Sequence, residues 1–290
     1  MKITAAIITR NRAKLLKRCL NSLDVQSVKS FEVLVIDNGS TDNTREVVDS
    51  FKKKLKIKYI SEPKIGRANA RNRVLSEAKG DILATLDDDC RAFENWVEQI
   101  YLVHKENPKA LAIQGFAISI PKKNPIGIIA QFIHETGLSE SPLTLLDTKN
   151  ASFKFNRLKK LNVKFNTRWY HGEDFEFAKQ LLAKKQQIIF SPKIRVYHTE
   201  RTTLSKFLFQ RYFAGRETMR TQMYWPRSLF PKRGKLWLLE RSSDSAKFIK
   251  SRKETRRLSV AVLMIVERGV YLSGKATEYF LSENLSHSTK

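Results

Sequence analysis

Two aspartates separated by one residue, Asp87 and Asp89, follow the apolar run "ILATL" at 82–86. A hard divalent cation prefers oxygen ligands, and carboxylates at i and i+2 across a tight turn can both face one ion. Magnesium or manganese held this way takes the rest of its shell from water and a diphosphate. The same acids also suit a solvated turn that caps the following helix. Asp88, between the two, has no role on either reading.

Three further positions could act with them. Asp37 ends "FEVLVID" and precedes Asn38-Gly39-Ser40. It can accept the imide N–H of uracil or thymine, or simply open a turn, since Asn, Gly and Ser favour turns. Glu173 and Asp174 open the helical stretch "EDFEFAKQLLAKK". Acids there complement the helix dipole. One of them can equally be a general base, if it reaches an acceptor hydroxyl and is ionised near pH 7. His198 closes an extended run. It fits a structural hydrogen bond, or a late metal ligand beside the aspartates.

The elements that must position these groups alternate. Residues 2–8, 31–37, 57–61 and 82–86 read as buried strands. Helical spacing follows at 13–23, 66–78 and 94–107, and a helix opens at Ser40, Thr41 or Asp42 as N-cap. Strand–helix alternation with short loops predicts an α/β fold, a mostly parallel sheet flanked by helices. Ligands of such sheets bind outside the carboxyl ends of the strands. Thr9 to Arg12, Asp37, Asp87 and Asp89 should therefore share one edge. Further on, 110–120 reads as a strand, 126–137 and 172–185 as helices, and 188–198 as extended. A basic, aromatic-rich helical region follows residue 200, broken near 226–234 by Pro226 and Pro231. The expected domains are 1–220 and a basic helical tail, 221–290.

With 290 residues, the chain can bury a sizeable core. Its formal charge of +25 points to an anionic partner: nucleic acid, a membrane surface or a phosphorylated substrate. Two cysteines, Cys19 and Cys90, make neither a disulfide framework nor a zinc site, and suggest a reducing, cytoplasmic compartment. The N-terminus begins like a strand, not a signal peptide. The apolar run at 260–266 is broken by Glu267-Arg268, well short of the roughly 20 residues that span a bilayer. Basic residues beside apolar helix at 250–274 suit peripheral contact with an anionic membrane, or packing on the first domain. No nucleic-acid-binding module is recognisable.

Taken together, "ITRNRAKLLKRCLNSL", "FEVLVIDNGSTDNT", "GRANARNRVLSEAKGDILATLDDDC", "NASFKFN", "GEDFEFAKQL" and "VYH" resemble the family 2 glycosyltransferases of the GT-A fold, over residues 1–216. The resemblance implies an inverting transferase using a UDP- or dTDP-sugar, a saccharide or lipid-linked acceptor, and Mn2+ or Mg2+. Asp87 and Asp89 match the DXD motif: Asp89 on the metal, Asp87 on the ribose or the metal. Asp37 would recognise the pyrimidine, with Thr9 and Arg10 near the base. Arg71 matches a nucleotide-side arginine, Asp174 the catalytic base, and His198 a histidine completing the metal site in some members. Ile8 stands where proline is usual, and Asn38 where a second acid is common. At position 10, often aromatic, Arg10 could stack its planar guanidinium on the base.

Two other functions are weighed. A sugar-nucleotide nucleotidyltransferase should carry a glycine-rich first loop, and "ITRNRAKLL" has no glycine. A phosphate-cradling P-loop is absent too. A non-catalytic binding module of the same fold would not need Asp37, Asp87, Asp89 and Asp174 together.

Overall fold

The computed structural model describes residues 1–120, 125–138, 146–169, 171–199, 203–229, 250 and 254–287. It opens with β1 (Ile3–Thr9), α1 (Ala13–Asp24), β2 (Phe31–Asp37), α2 (Thr44–Ser50), β3 (Ile57–Ser61), α3 (Arg67–Glu77) and β4 (Ile82–Leu86). Then come β5 (Cys90–Ala92), α4 (Trp96–Glu106), β6 (Ala112–Ile120), α5 (Pro125–Leu138), β7 (Asn150–Lys154) and α6 (Phe155–Lys160). The last elements are α7 (Glu173–Ala183), β8 (Ile188–Thr199), α8 (Leu204–Tyr224) and α9 (Glu254–His287).

The strands form one mixed sheet in the order β3-β2-β1-β4-β7-β6-β8-β5. The β1–β2, β2–β3 and β1–β4 pairs are parallel. The β4–β7, β6–β7 and β5–β8 pairs are antiparallel. Every residue of β1 except Ile8 is buried. That is why the first strands read as unbroken apolar runs: helices cover both faces of a parallel sheet. Helix α1 turns Leu16, Cys19, Leu20 and Leu23 inward, one face at helical spacing. They join Ile7, Val35, Ile82, Trp96 and Ile100 in the main core. Both cysteines are buried, and burial raises their thiols well above the usual range, so neither is reactive.

The opening of α2 differs from expectation. Ser40, Thr41 and Asp42 precede the helix, and Asn43 takes the cap position. They are used in a latch instead. The Asn11 N–H donates to Ser40 Oγ (2.9 Å), Thr41 N–H to Asn11 Oδ1 (2.7 Å), and Ala13 N–H to Asp42 Oδ2 (3.0 Å). Asn11 sits at φ 52°, the left-handed region that asparagine tolerates best after glycine. The loop after β1 is thereby fixed to the loop after β2.

The chain divides into two compact units, Met1–Ile118 with Pro142–Thr199, and Ser119–Ser141 with Glu200–Lys290. Helix α8 falls in the second unit, where it packs on α9. There Ile126, Ile129, Phe207 and Val260 make a small core. The two long helices run in the same direction, pairing Arg211 with Glu267 (2.6 Å) and Arg216 with Glu278 (2.7 Å). Each carries a Tyr-x-x-Gly segment, and the two interlock. A Cβ on Gly215 would lie 2.0 Å from the Tyr271 carbonyl, and one on Gly274 2.0 Å from the Tyr212 carbonyl. Only glycine permits that backbone contact. Helix α9 runs on to His287, past the expected 250–274. After Pro226 the chain makes a 3-10 turn, Arg227–Leu229; the rest of the expected break, 230–234, lies outside the described residues. No helix among the described residues is long and apolar enough to cross a membrane.

Candidate active site

The carboxyl edge of the parallel strands gathers the expected residues. Thr9 ends β1 in register with Asp37, the last residue of β2, and Asp87 follows β4. The register of Leu86 with Asn150 ties the end of β4 to β7. Asn150 is a hub: its Oδ1 accepts the Trp96 indole N–H (2.9 Å), and its amide donates to the carbonyls of Phe116 (3.1 Å) and Ile194 (3.0 Å). One buried amide thus joins β7 to β6, β8 and α4 beside the acidic turn.

Within that turn the three aspartates have different environments. Asp88 is buried, accepting the Thr9 hydroxyl (2.8 Å) and Arg12 Nη1 (2.8 Å). Burial pushes its carboxyl up to about 7, against the pull of Arg12. Asp88 is therefore the anchor of the turn, and Thr9 serves it through its hydroxyl. For Asp89, burial works against ionisation, but His198 and then Arg12 outweigh it and hold the carboxyl down at about 2. The contacts are Arg12 Nη1 at 2.9 Å and His198 Nε2 at 3.4 Å. His198 is delivered by β8, in register with Cys90 of β5. Asp87 points elsewhere, towards Arg71 at 3.9 Å. Burial raises its carboxyl, Arg71 opposes the rise, and Asp89 adds to it.

Arg71, buried on α3, links Asp87 to the start of α7. Its Nη1 bonds Glu173 Oε1, and Arg67 Nε stands 3.6 Å from the same oxygen. Burial disfavours the Arg71 charge, but Glu173, Asp174 and Asp87 outweigh it and raise its pKa. Gly172 enters α7 in the left-handed conformation at φ 69°, setting the two acids at the helix start. Asp174 is raised to about 7, by burial first and then by Glu173, with Arg71 pulling the other way. A carboxylate so poised matches what a general base needs near neutrality.

Asp37 is held on both oxygens, by Ser40 N–H (2.9 Å) and by the Tyr59 hydroxyl (2.6 Å). A carboxylate has about four lone-pair positions, so acceptor capacity is left over. Burial, then the bond to Asp37, pushes the Tyr59 hydroxyl up to about 12, so it stays a donor. Asn38 explains its place in the motif: it donates to the carbonyls of Glu62 (3.1 Å) and Lys64 (2.8 Å) and accepts from Gly66 N–H (2.7 Å). Arg10 is exposed on the loop after β1.

Among the described residues, no group of three His, Cys, Asp or Glu side chains stands ready to hold an ion. The structure brings Asp89 and His198 together but not Asp87 with them. Two protein ligands of this kind fit a divalent ion that completes its shell with phosphate oxygens and water. Sequence reasoning did not find Tyr59, placed Arg12 on the edge without a role, weighed Glu173 only as a base or a helix-start acid, and left Asp88 unassigned. Arg12 carried one legible signal, a cation three residues past the end of a strand whose edge gathers acids.

Comparison with known proteins gives the family and the fold. The model of "Glycosyl transferase family 2" matches residues 4–182. The validoxylamine A glucosyltransferase of Streptomyces hygroscopicus subsp. jinggangensis is 36% identical over 127 residues, 42% of this chain and 30% of that protein. The chain thus spans under a third of that relative's length. A Methanococcus voltae enzyme named dolichyl N-acetyl-alpha-D-glucosaminyl phosphate 3-beta-D-2,3-diacetamido-2,3-dideoxy-beta-D-glucuronosyltransferase is 26% identical over 226 residues, 72% of this chain and 70% of its own. The fold is that of the mannosyltransferase PcManGT from Pyrobaculum calidifontis, solved with GDP-Man and Mn2+ (TM-score 0.67, 17% identity, 95% of this chain, 86% of that one). It is also that of S. aureus TarS with UDP-GlcNAc (TM-score 0.61, 16% identity, 96% and 91%). With its family match covering more than half of the sequence, the chain belongs to glycosyl transferase family 2.

Proposed function

We propose that the protein is an inverting glycosyltransferase, moving a sugar from a UDP- or dTDP-linked donor to a hydroxyl of a saccharide or lipid-linked acceptor in cell-surface polysaccharide or glycolipid synthesis. The observation that carries this is the chain of contacts Asp87–Arg71–Glu173, with Asp174 beside it, at the carboxyl edge of the sheet. The Methanococcus voltae relative, named for a dolichyl-linked sugar phosphate, supports a lipid-linked acceptor.

Asp37, oriented by Tyr59 and Ser40, accepts the imide N–H of uracil or thymine, and Arg10 stacks on the base. Asp89 and His198 would hold Mn2+ or Mg2+, and Asp87, facing Arg71, would serve the ribose or turn to the metal. Such an ion, when bound, neutralises charge on the departing nucleoside diphosphate. Arg71 keeps a positive charge facing Asp87 and the donor side. Asp174 removes the acceptor's hydroxyl proton, and the oxygen displaces the nucleoside diphosphate from the opposite face of the anomeric carbon. No side chain acts as nucleophile, so alignment and electrostatics supply the rate gain. UDP or dTDP with Mn2+ should raise the melting temperature, by about 2.7 kcal/mol of added stability at 100 times Kd. Chelation should cancel both this shift and donor hydrolysis. No shift with any nucleotide would favour the non-catalytic module.

The second unit supports peripheral contact with an anionic membrane at the inner face of the cell. Helix α9 exposes Val262, Ile265, Val266, Leu272 and Phe280 on a chain with a large basic excess. At low salt the protein should sediment with anionic vesicles, and Ile265→Glu should weaken this. Wild-type protein left in the supernatant would refute the membrane contact.

A further inference from the structure

Arg12 has no part in the functional reading above, yet it makes the most direct contacts with the acidic turn. One nitrogen, Nη1, lies 2.8 Å from Asp88 Oδ1 and 2.9 Å from Asp89 Oδ2. Its backbone is fixed at the cap of α1, behind the left-handed Asn11 that latches the two loops. The side chain itself is 41% exposed, whereas that of Asp88 is 4% exposed. The two acids differ accordingly. Asp88 keeps Thr9 on its second oxygen and is walled in. Asp89 turns its second oxygen to His198, the neighbour with which it would share an ion. A guanidinium on one oxygen of Asp89 and a divalent cation on the same carboxylate repel each other. The arginine can swing into solvent; the aspartates cannot.

We infer that Arg12 is a resident counter-cation of the donor site. Before metal arrives it neutralises Asp88 and Asp89 and keeps the turn in place. When an ion takes Asp89, Arg12 gives up that carboxylate and turns to the diphosphate that accompanies the metal. This rests on the reading of Asp89 as a metal ligand. A consequence is coupling: nucleotide draws Arg12 away, so nucleotide and metal each tighten the other's binding.

The test is a Mn2+ titration followed by electron paramagnetic resonance, with and without UDP, and needs no turnover. Arg12→Gln should bind Mn2+ alone about tenfold more tightly than wild type, equivalent to ~1.4 kcal/mol. The further tightening that UDP gives wild type should shrink by a similar factor. Arg12→Lys, which keeps the charge, should behave like wild type. Because Arg12→Gln leaves Asp88 without its cation, Arg12→Gln with Asp88→Asn provides a second background, with the same gain expected. Unchanged or weaker Mn2+ binding in both backgrounds, while Asp89→Asn loses the ion, would overturn the role of Arg12 alone. Wild-type Mn2+ affinity in Asp89→Asn would overturn the metal assignment and this inference with it.

Discussion

Asp174→Asn should leave donor binding intact and lower kcat by about 10²–10⁴, the range for loss of a general base. The amide keeps the shape of the side chain at the start of α7 but cannot take a proton. The Arg71–Glu173 contact does not involve it, so the donor side should be undisturbed. The wild-type pH profile follows from the same group. Asp174 acts as its ionised form, and its carboxyl is raised to about 7, by burial and then by Glu173. Turnover should therefore rise through neutrality and sit about tenfold below its plateau at pH 6. Stability carries the opposite sign. A carboxyl whose folded pKa lies above its unfolded value of about 3.9 favours the native state at low pH and loses that contribution as pH climbs to 7. Asp174→Asn should thus melt higher than wild type at pH 8, with the gain fading towards pH 4. Near-normal turnover in the variant would remove Asp174 from the mechanism.

The part of this site legible in the sequence is the part that hangs on strand ends. Apolar runs at 31–37 and 82–86 mark β2 and β4, and the residues that stop them, Asp37 and Asp87, fall on the predicted edge. What stayed hidden depends on burial and on contacts between distant positions. Three consecutive aspartates look alike on paper; the fold buries Asp88 against Thr9 and Arg12, 79 and 76 residues away. Strands β5 and β7 are short, and "NASFK" has too little apolar character to announce a strand. Ser40, Thr41 and Asp42 have the composition of a cap, but local preference cannot show that a neighbouring loop claims their hydrogen bonds. The close packing of α8 on its partner helix at Gly215 and Gly274 likewise joins positions far apart in the sequence.

Glu173→Ala should cost about 3–5 kcal/mol of stability, the usual penalty for stripping a buried charge of its partner. Glu173 is 1% exposed and Arg71 6%. Without Glu173, the guanidinium keeps the nearby charge of Asp174, and Asp87 at 3.9 Å, too long for a direct hydrogen bond. The second Glu173 oxygen has no hydrogen-bond partner among the described residues, so the carboxylate is already half satisfied and depends on Arg71. Replacing both, Glu173→Leu with Arg71→Met, should restore most of the lost stability, because apolar pairs of similar volume avoid the desolvation of two ions. It should not restore transfer, since the positive charge facing Asp87 is gone. Chemical denaturation separates these cases. A single variant within about 1 kcal/mol of wild type would mean that the pair is not a buried one in solution. A double variant that is stable and fully active would make Arg71 and Glu173 scaffolding only. The expected pattern, stability regained without activity, follows from a charge kept in the interior at a cost that folding alone does not require.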